Sequence, residues 1–166
     1  MPPDKPHNAA VASVILSFVL AMMLRIVPLP ADWFAGNPDW VALLLIYWSL
    51  LVPERVGIFT AWWIGLLADT LTGRLFGQHP LAYAVIVYVN LQLRQKLLGL
   101  PLFVQCVWVG ILLLLAQWMI LLTQQVALAE SVRLIYWLPS LTGALAWPLV
   151  FGLMQEVRRM GVTRGA

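Results

Sequence analysis

The sequence predicts an all-α, polytopic integral membrane protein: one domain over residues 1–166, with six transmembrane helices. Three observations predict it. Hydrophobic residues make up 62% of the chain and charged residues only 10%, whereas soluble domains sit near about one half and one quarter. No stretch between apolar runs exceeds roughly a dozen residues, far short of the about 50 that a small soluble domain needs. Finally, most prolines, glycines and charges fall at the ends of the apolar runs, where helices start and stop.

The first helix is expected from Ala9 to Val27, ended by Pro28 and Pro30, which lack the donor a continuing helix needs. It is longer than a usual signal core, and no clear pair of small residues follows for cleavage, so it reads as a retained helix. Asn37-Pro38-Asp39-Trp40 opens the second helix, with Asn37 as cap, Pro38 as first helical residue and Asp39 beside the positive end of the dipole. This helix is predicted over 38–52. The link Pro53-Glu54-Arg55 is short enough to make helices two and three antiparallel neighbours, the third running over 54–71 with Gly73 as a left-handed stop. Helix four is predicted over 80–98, ending in Arg94 and Lys96, and helix five over 102–122. Pro139 splits the remainder into an amphipathic surface helix over 126–137 and helix six over 138–157.

Charge gives the orientation. Six alternating helices place Lys5, Arg55, Arg94, Lys96, Arg158, Arg159 and Arg164 on one side and Arg25, Arg74 and Arg133 on the other. Positive residues mark the cytoplasmic side, so both termini are expected there. Basic residues spread over short loops and a tail orient a membrane protein, and nucleic acid is not an expected partner. Trp33 and Trp40 are expected at the outer boundary, Trp137 with the surface helix, and Trp62 and Trp63 nearer the inner boundary.

Little in the chain points to catalysis or to a cofactor. The two histidines, His7 and His79, fall in the polar start and in a loop, which excludes a helix-borne pair of metal ligands. No nucleophile elbow or phosphate-binding loop is present. Asp69 is the one carboxylate set deep in an apolar run, with Asp39 and Glu54 at segment ends, so a pair of intramembrane catalytic aspartates is not offered. Cys106 reads as a small apolar residue.

Asp69 has two readings. A membrane carboxylate costs about 2.5 to 3.5 kcal/mol at a helix centre unless it is paired or solvated. Either it bonds the turn from Thr70 to Gly73 and sees water, or it meets a partner or ligand. Arg25 likewise either snorkels to the surface or pairs. Both residues close rows of small residues, Gly57-Ala61-Gly65-Asp69-Gly73 in helix three and Ala9-Ser13-Ser17-Ala21-Arg25 in helix one. Such rows let backbones approach closely. Packing of one row on the other would bring Arg25 and Asp69 together, whereas rows that do not meet leave two solvated ends. Asn90, Gln105 and Gln117 are expected to form hydrogen bonds between helices.

The hairpin residues Asn37, Pro38, Asp39, Trp40, Tyr47, Trp48, Pro53, Arg55, Val56, Gly57, Gly65, Leu66, Asp69, Gly73 and Gly77, with the late Trp147-Pro148 and a short basic tail, resemble the MreD family of rod shape-determining bacterial membrane proteins. The resemblance implies a nonenzymatic inner-membrane scaffold of the cell-elongation machinery. Its implied partners are MreC, a single-span membrane protein, and through it MreB filaments and the lateral-wall peptidoglycan synthases. The resemblance also implies a fold similar to the substrate-binding subunits of energy-coupling-factor vitamin transporters. A small-molecule-binding transporter subunit is therefore the alternative function, weakened by polar outer residues (Asp32, Asp39, Asp69, Arg25, Arg74, His79) that spread over separate loops. Lipid and a second copy of the chain stay open as partners.

Overall fold

A computed structural model describes residues 5–26, 36–73, 77–128 and 134–163. The expectations for Asp32, Trp33, Arg74, Arg133 and Arg164 lie outside the described residues. Six α-helices follow in order: α1 (Lys5–Ile26), α2 (Trp40–Leu51), α3 (Ile58–Thr72), α4 (Gln78–Leu97), α5 (Leu102–Leu128) and α6 (Leu138–Thr163), the last preceded by a 3-10 turn over Leu134–Trp137.

α2 stands at the centre. Every residue from Val41 to Leu50 is buried, because α1, α4, α5 and α6 all pack on it. α3 is peripheral and lies against α4. The outer surface of this arrangement is apolar: Leu16, Phe59, Trp63, Phe103, Trp118 and Leu145 are each more than half exposed. Exposed apolar surface on this scale belongs in lipid.

The expectation of six membrane spans is corrected. Among the described residues, two helical stretches are long and apolar enough to cross a bilayer, Leu102–Thr123 and Leu134–Val157. The apolar stretches Val11–Ile26, Trp40–Leu51 and Ile58–Thr72 are shorter. At 1.5 Å per residue the 12 residues of α2 reach only about 18 Å, against roughly 30 Å of hydrocarbon. α4 has 20 residues, but Asn90, Gln92, Arg94, Gln95 and Lys96 dilute its apolar character.

Local chemistry explains most of the shifted boundaries. Asp39, not Asn37, caps α2: its carboxylate accepts from the Ala42 N–H at 3.1 Å, while Asn37 Oδ1 accepts from the Trp40 indole at 2.9 Å. The expected packed hairpin of helices two and three is not formed, for α2 and α3 scarcely touch. The turn from Val52 to Gly57 swings α3 away, and the circumference of α2 is already taken. Gly73 closes α3 in the left-handed conformation at φ 62°, and Gly77 precedes α4 at φ 103°. The surface helix expected over 126–137 is replaced, since α5 continues to Leu128 and Leu134–Trp137 winds directly into α6. Pro139 falls in the first turn of α6, where a missing N–H breaks no helical bond.

Buried amides join the helices. Asn90 on α4 donates to the Ile46 carbonyl at 3.0 Å and to Ser49 Oγ at 2.8 Å on α2, and accepts from the Trp108 indole of α5 at 3.3 Å. Gln105 bonds the Leu97 and Leu100 carbonyls and accepts from Trp147 on α6. Gln117 donates to the Tyr136 carbonyl at 2.9 Å.

Candidate functional site

Charged residues converge at the end of the bundle where α1 and α3 finish and α2 and α4 begin. Arg25, in the last turn of α1, donates through Nη1 to Asp39 Oδ1 at 3.1 Å and to the Tyr83 hydroxyl at 2.8 Å. Tyr83 in turn donates to Asp39 Oδ2 at 2.7 Å. The other terminal nitrogen, Nη2, reaches His79 Nε2. On its far side His79 meets Asp69 through Nδ1, and Asp69 Oδ2 accepts the Gly77 N–H at 2.8 Å.

The donor inventory assigns the histidine. A guanidinium has only donors, so His79 Nε2 must accept from Arg25. Nδ1 therefore carries the proton and donates to Asp69, and the ring is neutral. The result is an unbroken chain, Asp69–His79–Arg25–Asp39, with Tyr83 bridging the last two. Asp69 and His79 are closed off, at 0% and 2% exposure, whereas the Arg25 and Asp39 side chains keep 19% and 23%. At Asp39 burial favours the neutral acid, but the Arg25 guanidinium, the Tyr83 hydroxyl and the Ala42 N–H outweigh it and hold the carboxyl below its ordinary range.

The two charges singled out in the sequence do reach one network, but not as a pair. The small rows pack on different helices. On α1, Ser17 accepts from the Trp48 indole of α2 at 2.9 Å. On α3, Gly65 rests against the backbone of α4 at Pro80, and Ala61 and Asp69 are fully buried. His79 fills the space between Arg25 and Asp69. Gly57 and Gly73 serve as the caps of α3. Pro53 and Arg55 lie in the turn before α3 and do not reach the cluster.

The sequence named His79 only as a loop residue among the polar outer positions and did not single out Tyr83. His79 is not a loop residue but belongs to the first turn of α4, and Tyr83 follows it by four residues, on the same helix face. The short turn after Gly73 was the usable signal, since it folds α4 back on α3 and sets His79 beside Asp69. The polar residues expected on separate loops are thus partly gathered: Arg25, Asp39, Asp69 and His79 form one cluster.

Beside the cluster lies a cavity of about 530 Å³, lined by Arg25, Asp39 and His79 together with residues that include Trp40, Ile120 and Ile135. Asn37 and Pro38 also line it. Among the described residues no group of three or more His, Cys, Asp or Glu side chains could hold a metal ion.

An apolar-surfaced helical bundle with a cluster of charged residues gathered at one end has the form of an integral membrane protein. The family model for the rod shape-determining protein MreD matches residues 7–157. The chain is also 29% identical over 150 residues to the rod shape-determining protein MreD of Haemophilus influenzae, covering 89% of this chain and 91% of that protein. It belongs to the MreD family. No solved structure matches it, so the expected likeness to vitamin-transporter subunits is withdrawn.

Proposed function

We propose that this chain is a nonenzymatic inner-membrane scaffold of the bacterial rod-shape machinery, which binds an MreC-like single-span protein and helps couple MreB filaments to peptidoglycan synthesis. The family match over residues 7–157 carries this reading. The physical form agrees with it: the outer ring offers apolar helix faces of the kind that partner helices pack against. Arg55, Arg94 and Lys96 lie towards the opposite end of the bundle from the Arg25 cluster, and Arg158 and Arg159 fall near the end of α6. Positive residues mark the inner side, which puts both termini in the cytoplasm and the cluster at the outer face.

Purification in mild detergent at native expression tests the scaffold role. An MreC-like protein should accompany the chain in fixed ratio. Its absence from the complex, with the chain intact and folded, would overturn the reading.

A further inference from the structure

We propose that the cavity beside Arg25 and Asp39 binds a zwitterionic group made of a primary ammonium and an acidic anion, the chemistry shared by an ethanolamine phospholipid head and free phosphoethanolamine. This goes beyond the scaffold role and does not depend on it.

Unfilled bonding capacity lies at the cavity wall. Arg25 has five N–H donors. Two are engaged with Asp39 and Tyr83 and one with His79, which leaves the Nε–H and the second Nη2–H. Asp39 Oδ1 accepts from Arg25 and from the Ala42 N–H, while Oδ2 accepts only from Tyr83. One lone pair on Oδ2 is open. Both nitrogens of His79 are committed.

Spare donors on a cation therefore stand next to a spare acceptor on an anion, and both side chains keep about a fifth of their surface in a cavity of about 530 Å³. That volume lies within the about 300–1,000 Å³ of small-molecule sites. A simple anion would gain Arg25 but face Asp39, and a simple cation would gain Asp39 but face Arg25. A zwitterion satisfies both, its anion on the guanidinium and its ammonium on the carboxylate. Trp40, Leu71, Ile120 and Ile135 give the cavity an apolar side suited to the glycerol and first acyl carbons of a lipid.

The test is native mass spectrometry of the full-length protein, stripped of lipid in detergent and titrated separately with phosphatidylethanolamine, phosphatidylcholine, phosphatidylglycerol and phosphoethanolamine. Phosphatidylethanolamine should bind roughly tenfold more tightly than the other two lipids, the change expected from one charge-assisted hydrogen bond. Phosphatidylcholine keeps both charges but has no N–H for Asp39. Ile135→Trp narrows the cavity without touching the ion pair, and should weaken ethanolamine binding roughly tenfold while leaving the melting temperature unchanged. Binding of phosphoethanolamine without phosphatidylethanolamine, lost in Ile135→Trp, would support the same site with a soluble source. Equal retention of all three lipids with no binding of phosphoethanolamine, or an ethanolamine preference unchanged in Ile135→Trp, would overturn the proposal.

Discussion

Gly65 lies so close to Pro80 that a Cβ added to it would stand 2.5 Å from the proline nitrogen and 2.7 Å from the His79 carbonyl carbon. Backbone cannot yield as a flexible side chain does, so α3 and α4 are held at this distance by the absence of a side chain. The contact sits beside the residue that links Asp69 to Arg25, and thus spacing and polar network are coupled.

Gly65→Leu should accordingly disrupt the chain itself before it disrupts any partner. The expected outcome is a lower melting temperature in detergent and loss of rod-shape complementation, with a smaller effect for Gly65→Ala. An overpacked core typically costs about 1 to 3 kcal/mol. Wild-type melting of Gly65→Leu would show that α3 moves freely against α4.

The Arg25–Asp39 ion pair predicts asymmetric mutational behaviour. Arg25→Gln leaves Asp39 without its cation and His79 Nε2 without that donor; removal of one member of a fully buried pair costs roughly 3 to 5 kcal/mol, and this partly exposed pair should cost somewhat less. Asp69→Asn is expected to cost less still: the amide keeps only one of the two acceptor oxygens that now serve His79 and the Gly77 N–H, but it leaves no buried charge unpaired. Thermal melts of the two variants check the order, and a greater loss in Asp69→Asn would place the main anchor at His79 instead. An Arg25→Asp, Asp69→Arg exchange is not expected to restore shape, since the two residues are joined only through His79.

Acid should weaken the fold through Asp39. Its folded value lies below the ordinary one, so its contribution is fully present above the unfolded carboxylate value near about 4 and is lost as pH falls through the folded value. Melting temperature measured from pH 7 downward should drop below about pH 4, and the drop should be shallower in Asp39→Asn. Identical profiles would assign the acid sensitivity to other carboxylates.

A reporter fused after Ala166 should be active in the cytoplasm, in keeping with the charges near that end. A periplasmic signal would require an odd number of crossings between the termini if the N-terminus stays inside.

How legible this was in the sequence depended on the range of the interaction. Local signals read well: Gly73 closes α3, and the amides Asn90, Gln105 and Gln117 join helices. Partner choice between helices did not. The brevity of the Pro53–Arg55 link suggested that α2 and α3 pack together, yet that link says nothing of how crowded α2 is. Apolar composition also cannot tell a lipid-facing helix from one enclosed by protein, and so 12 residues of core looked like a membrane span. His79 escaped because a histidine near glycines reads as loop until the turn is known to bring it against Asp69.

The enclosure of α2 bears on how the molecule is made. A 12-residue segment wrapped by four others is too short to settle in a bilayer by its own apolar length, so its final position awaits the helices synthesised after it. Newly made chain up to Leu51 lacks α4, α5 and α6, which supply most of the contacts to α2. Biogenesis must then shelter this segment until α6 has emerged, and truncations ahead of α6 should be degraded and not accumulate as shortened bundles.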